Sequence, residues 1–426
     1  MENKFEKIAP PEGDPILAGT IGLVVPDRPI IPFIQGDGIG PDIWKAAEQV
    51  LTAAVKASYR GQKEIRWFEV HAGDSATRLY GKDRPLPDDT LNAIRRFRVG
   101  IKGPLSTPIA GGLRSLNVAL RQSLNLFASV RPVRYFPGAY SPLKHPERVN
   151  LIIFRENTED VYTGLEWPAG SPEATEVIDL VNRLMGGKAP VDRASGVGIK
   201  PISRHASRRL VMAAVEHAVK NDLPSVTLMH KGNIMKFTEG AFLQWGREAA
   251  LEEYPDRIIL ESEVNKEHAG VAPEGKIVLK ERIADHMFQE IILRPQDHSV
   301  IATTNLNGDY LSDAAAALVG GLGLAPGANI GDRIALFEAT HGTAPKYAGK
   351  DHANPSSLIL SGAEMFRYMG WNEAADLVLD GIKAALAKGH VTADIARWLL
   401  DVKPLPCSAF AQAVVEEMSG LIRSRC

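Results

Sequence analysis

Two periodicities alternate along this chain, and that alternation constrains its fold more than any other feature. Short apolar runs rich in β-branched residues recur, each followed by a stretch whose apolar residues return at helical spacing. The strand-like runs are Ile30–Ile34, Ile65–Val70, Arg98–Lys102, Asn150–Phe154, Val226–His230, Arg257–Leu260, Ser299–Ala302 and Ile334–Glu338. Helical patterns cover Pro41–Ser58, Leu116–Leu124, Ser207–Lys220, Thr238–Tyr254, Lys280–Gln289, Tyr310–Val319, Ser356–Met369, Glu373–Lys388 and Ala409–Ile422. Strands separated by helices are joined by crossovers, so the pattern predicts an α/β fold with a largely parallel sheet. Residues 160–203 break the rhythm with glycines and prolines around one short helix, as an inserted arm would. The C-terminal third is almost all helical and is expected to pack on the outside of a sheet. No repeat at solenoid periods appears.

Composition excludes several classes of function. At 426 residues and 45% hydrophobic, the chain can bury the cores of two or three domains. Its 49 basic and 51 acidic residues leave a net charge of -2, so no basic field asks for nucleic acid, and any anion site must come from local clustering. The two cysteines, Cys407 and Cys426, allow no disulfide framework and no C-x-x-C metal spacing. That usage fits a reducing cytoplasm. With neither a signal core nor an apolar run of about 18 residues, no membrane association is expected.

Several stretches carry candidate chemistry. In "KGPLSTPIAGGLRSLNVALRQSLNLFASVRP" (Lys102–Pro132) a glycine-rich loop leads to Ser115, placed as an N-cap whose hydroxyl would meet first-turn amides, and then a helix. Arg114, Arg121, Arg131 and Arg155, with Asn117, could gather at this helix start as a polycarboxylate site, since the guanidinium fork grips carboxylates in bidentate fashion. Surface ion pairs would explain the same arginines. In "NLNGDYLSDAAAALVGG", Asp309 and Asp313 are four apart and share a helix face, which suits Mg²⁺ or Mn²⁺. Acids that merely favour a helix N-terminus would explain the pair equally well. Asp285 is a conceivable third ligand. In "ALFEATHGTAPKYAGKDHANP" a strand ends at Glu338 and a loop of small residues follows. There Gly342 and Gly349 would let amides approach a ligand, His341 could meet a base or ribose, and Lys346 could neutralise phosphate. Tyr162 and Lys231 are possible proton-transfer groups.

The loop in "PIIPFIQGDGIGPDIW" looks like a dinucleotide cradle but departs from one. Gly36, Gly38 and Gly40 spell G-x-G-x-G, Pro41 stands where the fingerprint has its third glycine, and no acid ends the next strand at the expected spacing. Pro41 fits the first turn of a helix, with Asp37 or Asp42 able to satisfy its amides. The loop therefore reads as a strand–helix turn at the rim of a site.

Taken in order, "GDGIGPD", "RSLNVALRQSLNLFASVRPVRY", "IIFRENTEDVYTGLEW", "HKGNIMKFTEGAF", "NLNGDYLSDAAAALVGGLG" and "EATHGTAPKYAGK" resemble the β-decarboxylating dehydrogenases, most nearly the branch that acts on isocitrate with NADP. The likeness runs from about Pro29 to the last helix. It implies the two-domain α/β fold of isocitrate/isopropylmalate dehydrogenases, which is not the Rossmann fold. Residues 1–126 and 319–426 would form a large domain, 127–159 and 204–318 a small domain with the dimer interface, and 160–203 a clasp arm. It implies NADP-dependent oxidative decarboxylation of isocitrate assisted by Mg²⁺ or Mn²⁺.

Carried over by motif, Lys231 takes the hydroxyl proton and Tyr162 protonates the enolate. Ser115, Asn117, Arg121, Arg131 and Arg155 bind isocitrate. Asp309 and Asp313 ligate the metal, while Asp285 and Lys231 come from the other subunit of a homodimer. Thr107 lies near the nicotinamide. His341, Gly342, Thr343, Ala344, Lys346 and Tyr347 form the adenosine-phosphate loop, with Asn354 at the adenine and Arg397 at the 2′-phosphate. Polar Ser115 and Asn117 favour a third carboxylate over the isopropyl group of a sister substrate. In some bacterial members the serine matching Ser115 is phosphorylated, so a regulatory kinase is a conceivable partner. Ala393 stands where the bacterial NADP form has a tyrosine, which implies a weaker NADP bias by one charge-assisted bond, roughly 1.5–3 kcal/mol. Sister dehydrogenases acting on isopropylmalate, homoisocitrate or tartrate, and a silent dinucleotide-binding paralogue, are the alternatives.

Overall fold

The computed structural model describes residues 5–20, 22–106, 115–188 and 190–425. An 11-stranded sheet runs through the molecule. From one edge its strands are Ile258–Leu260, Ile277–Ile283, Ser225–His230, Val300–Thr303, Asn150–Glu156, Ala128–Arg134, Pro326–Ile330, Ala335–Ala339, Val99–Lys102, Ile30–Ile34 and Arg66–Glu69. The five strands up to Asn150–Glu156 are parallel to one another, as are the four from Ala335–Ala339 to Arg66–Glu69. Between these wings, Ala128–Arg134 and Pro326–Ile330 are each antiparallel to both neighbours. The expected parallel pairing thus holds in the wings and fails at the centre, where the direction reverses.

Both faces of each wing are covered, which explains the unbroken apolar runs in the sequence. On the Ile30–Ile34 strand, Ile31 and Phe33 enter a core with Val50, Leu358, Phe366, Val378 and Val414. Ile30 and Ile34 enter another with Phe68, Ile94 and Phe97. In the other wing Val226 and Leu228 pack with Leu210, Val215 and Phe242, while Met229 turns to Met287, Ile291 and Leu311. Both ends of the chain build the first wing, because helix Gly40–Ser58 packs against helices Ser356–Tyr368, Asn372–Ala387 and Cys407–Arg425.

The sequence misled in six segments. Residues from Lys280 were expected to be helical, but Ile277–Ile283 is a strand and the helix is Ala284–Leu293. Lys280, Glu281 and Arg282 suit helices, yet the segment pairs with strands on both sides and buries Ile277 and Leu279 alternately. The central strands escaped notice because one carries Arg131, Pro132 and Arg134 and the other opens with Pro326 and Gly327. Helices Asp74–Tyr80, Asp88–Phe97 and Glu261–Glu267 were also missed. The irregular arm does contain a helix, Pro172–Leu184, N-capped by Ser171, whose hydroxyl accepts from the Ala174 amide at 3.1 Å. It lies between strand pieces Glu166–Trp167 and Val197–Gly198, which pair antiparallel. Among the described residues no helix is long and apolar enough to cross a membrane.

Candidate functional site

A cavity of about 490 Å³ opens where the wings meet, and Ser115, Asn117, Arg121, Arg131, Arg155, Tyr162, Asp309 and Asp313 all line it. Strand Ala128–Arg134 delivers Arg131, strand Asn150–Glu156 delivers Arg155, and helix Leu116–Ser123 delivers Asn117 and Arg121. Ser115 does sit at the N-cap of that helix, but its hydroxyl makes no bond to the first-turn amides. The expected hydroxyl cap is therefore corrected, though the residue still faces the cavity. Thr107 and Arg114 lie outside the described residues.

The cavity floor is a buried charge cluster. Glu338 pairs with Lys102 at 2.8 Å, Arg121 at 3.0 Å and Arg131 at 3.4 Å. Burial alone would raise Glu338, but these cations hold its carboxyl well below the usual range. Burial pushes the Lys102 ammonium down against the pull of Glu338, and pushes Arg131 down to about 10. A side chain at Gly327 would place its Cβ 3.0 Å from Arg131 Nη1, so the bare glycine leaves room for the guanidinium. Positive charge exceeds negative here, and two buried atoms, Arg121 Nε and Asn117 Oδ1, have no hydrogen-bond partner. Unpaired buried polar atoms are costly; an anionic ligand would accept from Arg121 Nε, and a ligand hydroxyl would donate to Asn117 Oδ1.

Asp309 and Asp313 occupy the helix Asn305–Ala317, which starts earlier than the periodicity suggested. They lie in its body, so attraction to a helix N-terminus does not explain them. Asp309 accepts from Arg155 and, at 2.5 Å, from the Tyr162 hydroxyl. Burial and then the charge of Asp309 raise Asp313. A carboxylate raised by burial and a neighbouring carboxylate is relieved by a cation, and oxygen donors suit a hard one. Burial and the bond to Asp309 push the Tyr162 phenol up to about 12. Its ring also lies 4.9 Å from the Arg155 guanidinium.

Lys231 and Asp285 do not line this cavity. They form an ion pair with each other, Lys231 directly after strand Ser225–His230 and Asp285 in the first turn of helix Ala284–Leu293. Accordingly, no group of three His, Cys, Asp or Glu side chains suited to a metal is found among the described residues.

A second cavity, of about 410 Å³, adjoins the first, since His341 and Gly342 line both. Ala344, Tyr347, Asn354 and Arg397 line it, together with Ile39, His352, Ala393 and Asp394. Thr343 lines the first cavity instead. Lys346 lies outside both linings, its ammonium 4.7 Å from the Tyr347 ring, which stacks on His352 at 4.8 Å. Burial lowers His341; its Nδ1 lies 3.0 Å from the Gly342 carbonyl and its Nε2 is buried without a partner. That unpartnered nitrogen fits a polar ligand spanning the two cavities. Gly349, expected to offer its amide to a ligand, spends it on Asp42 at 2.9 Å.

The glycine loop braces this second cavity. Gly38 has a φ of +60°, and a Cβ there would meet the Thr343 carbonyl at 2.1 Å. The Ile39 amide donates to that same carbonyl at 2.9 Å. Asp37 does not cap the following helix. Its buried carboxylate accepts from the Asp74 amide at 2.9 Å and the Ser106 amide at 2.8 Å. The loop thus holds neighbouring loops together.

Sequence reading missed the roles of Lys102 and Glu338. Their signal was position, at or near the C-terminal ends of neighbouring strands that pair them directly. Asp394, which accepts from Asn354 Nδ2 at 3.0 Å, had no local signal.

The family described as isocitrate/isopropylmalate dehydrogenase matches residues 30–414. An isocitrate dehydrogenase (NADP) of Archaeoglobus fulgidus is 53% identical over 419 residues, covering 98% of this chain and 100% of that protein. Its counterpart from Coxiella burnetii is 54% identical over 412 residues, or 96% of each chain. The crystal structure of isocitrate dehydrogenase from Methylococcus capsulatus superposes with a TM-score of 0.74 at 38% identity, covering 92% of this chain and 99% of that one.

Proposed function

The chain belongs to the isocitrate/isopropylmalate dehydrogenase family, and from that premise we propose how its own residues act. It is an oxidoreductase that converts isocitrate to 2-oxoglutarate and CO₂ with NADP as hydride acceptor. The observation that carries this reading is the cation-rich cavity that shares a wall with the second cavity at His341 and Gly342.

Arg121, Arg131 and Arg155, with Ser115 and Asn117, bind the carboxylates of isocitrate. The unpartnered donor Arg121 Nε supports that role, and the unpartnered acceptor Asn117 Oδ1 suits the substrate's hydroxyl. Asp309 and Asp313 would hold Mg²⁺ or Mn²⁺, with Asp285 supplied by a second subunit. The bound cation supplies Lewis-acid stabilisation of the negative charge left on the substrate when CO₂ departs. Lys231 relays the hydroxyl proton from across the dimer, taking it up as its ammonium passes one of its own protons to an aspartate carboxylate or water. Tyr162 then gives a proton to C3; a phenol pushed up to about 12 is protonated at neutral pH, as an acid must be. His341, Gly342, Thr343, Ala344, Tyr347, Asn354 and Arg397, with Lys346 at the rim and Thr107 near the nicotinamide, bind NADP.

A homodimer follows from assigning Lys231 and Asp285 to the neighbour's cavity. Exposed apolar side chains near them in sequence support it: Ile234 (69%), Phe237 (91%), Ile292 (51%) and Leu293 (65%). The two-domain division, with residues 160–203 as a clasp exchanged between subunits, is supported by the paired wings, the shared chain ends and the exposed Leu184 and Met185. We also propose a cytoplasmic location. Phosphate on Ser115 would set a dianion where isocitrate binds, so a kinase acting there would switch the enzyme off.

Steady-state kinetics test the reading. NADP is expected to give the higher kcat/KM on isocitrate, and isocitrate to exceed isopropylmalate, homoisocitrate and tartrate by more than tenfold. A higher kcat/KM with NAD would remove the roles assigned to Lys346, Tyr347 and Arg397.

A further inference from the structure

Glu239 opens helix Glu239–Glu253, and none of its side chain reaches solvent. It lines neither cavity of the site. Its Oε2 accepts from the Lys231 backbone amide at 2.9 Å and from Asn307 Nδ2 at 2.8 Å. Its Oε1 accepts from the Thr304 hydroxyl at 2.8 Å and pairs with the Lys200 ammonium at 3.0 Å. Lys200 pairs in turn with Asp160 at 2.6 Å. Asp160 is also fully buried, has a φ of +71°, and accepts from the Leu306 amide at 3.0 Å through its other oxygen.

The partners of this cluster are the supports of the proposed catalytic groups. Asp160 begins the short turn Asp160–Thr163 that carries Tyr162. Thr304, Leu306 and Asn307 form the start of the helix that carries Asp309 and Asp313. Lys231 is held by its own amide, while its ammonium pairs with Asp285 on the other side. A buried carboxylate is costly unless it is paired and hydrogen-bonded, and packing alone could use an apolar residue here.

We propose that Glu239, with Lys200 and Asp160, is a positioning residue that fixes Lys231, Tyr162 and the Asp309–Asp313 helix in one rigid frame. The proposal rests on the roles assigned to those residues above. With Lys231 acting across the dimer, the same cluster ties part of a subunit's own site to part of its neighbour's. A misplacement of about 1 Å at a reacting group can cost on the order of a hundredfold in rate, which is the scale of effect such a frame protects.

The test uses the purified full-length enzyme. Glu239→Gln keeps the shape and removes the charge. It is expected to lower kcat at least tenfold and raise the KM for Mn²⁺ severalfold. The KM for NADP, whose cavity the cluster does not touch, should stay within twofold. A lowered unfolding temperature with kcat and both KM values unchanged would mean a purely structural role and overturn the proposal. Should Glu239→Gln fail to fold, Thr304→Val decides. It deletes one bond to Oε1, and wild-type kcat and Mn²⁺ KM in that variant would overturn the proposal. Lys231→Met separates the two levels. Wild-type turnover in Lys231→Met removes the underlying assignment, whereas an inactive Lys231→Met beside a fully active Glu239→Gln removes this proposal alone.

Discussion

Glu338 and Glu239 are both buried, at 3% and 0% exposure, yet they sit in opposite kinds of surroundings. Glu338 faces Lys102, Arg121 and Arg131, and beside it Arg121 Nε and Asn117 Oδ1 have nothing to bond. Glu239 has both oxygens engaged, by one ammonium and by neutral donors from the backbone and side chains. The first cluster carries surplus positive charge and unmet hydrogen bonds; the second is complete. A site meant to be finished by an anion leaves cations underneutralised, whereas a cluster meant to hold elements in place closes its own bonds. Low local dielectric strengthens both kinds of interaction.

The largest expected effect sharpens this contrast at the cleft. Tyr162→Phe removes the proposed acid but keeps the ring beside Arg155, so kcat should fall about 10²–10⁴-fold. KM for isocitrate should change little, and turnover close to wild type would remove Tyr162 from the chemistry. Next comes Glu338→Gln, which strips the carboxylate from three buried cations. Breaking a buried pair costs about 3–5 kcal/mol, read as lost stability in urea unfolding of the ligand-free enzyme. Isocitrate should restore part of that loss by binding only the folded state. An unchanged midpoint would mean that the cleft cations do not depend on Glu338.

The smallest effect is one of pH. His298 is buried between Thr227 and Glu290, and burial holds its pKa below 6.5, as it does for His217, His230 and His341. A histidine with a depressed folded pKa takes up its proton on unfolding. Its contribution is therefore whole above about pH 6.5 and declines as pH falls below that value, at up to about 1.4 kcal/mol per unit for each group. Unfolding free energies measured between pH 7.5 and 5.5 should fall on acidification, and His298→Asn should flatten the slope. A stability that rose on acidification would show that these histidines are not held neutral.

Much of the molecule was legible before any coordinates. The wing strands announced themselves because both their faces are buried, and the long helices because one face is. The order of motifs identified the family, and most residues carried over from it do line the two cavities. Less visible was anything set by a partner far along the chain. Ala128–Arg134 and Pro326–Ile330 are strands because they pair with each other and with the wings, although arginine, proline and glycine interrupt their pattern. Ile277–Ile283 was read with the wrong period for the same reason.

By itself, then, the sequence determined the α/β class, the family, and most of the side chains that line the two cavities, since these rest on residue type and on local spacing. Only the tertiary structure decided that Glu338 gathers Lys102, Arg121 and Arg131, that the glycine loop braces the Thr343 carbonyl, and that Glu239 binds the supports of Lys231 and Asp309 together. Periodicity records which face of an element is buried. It does not record which residue, a hundred or two hundred positions away, closes the hydrogen bonds of a charge once that face is covered.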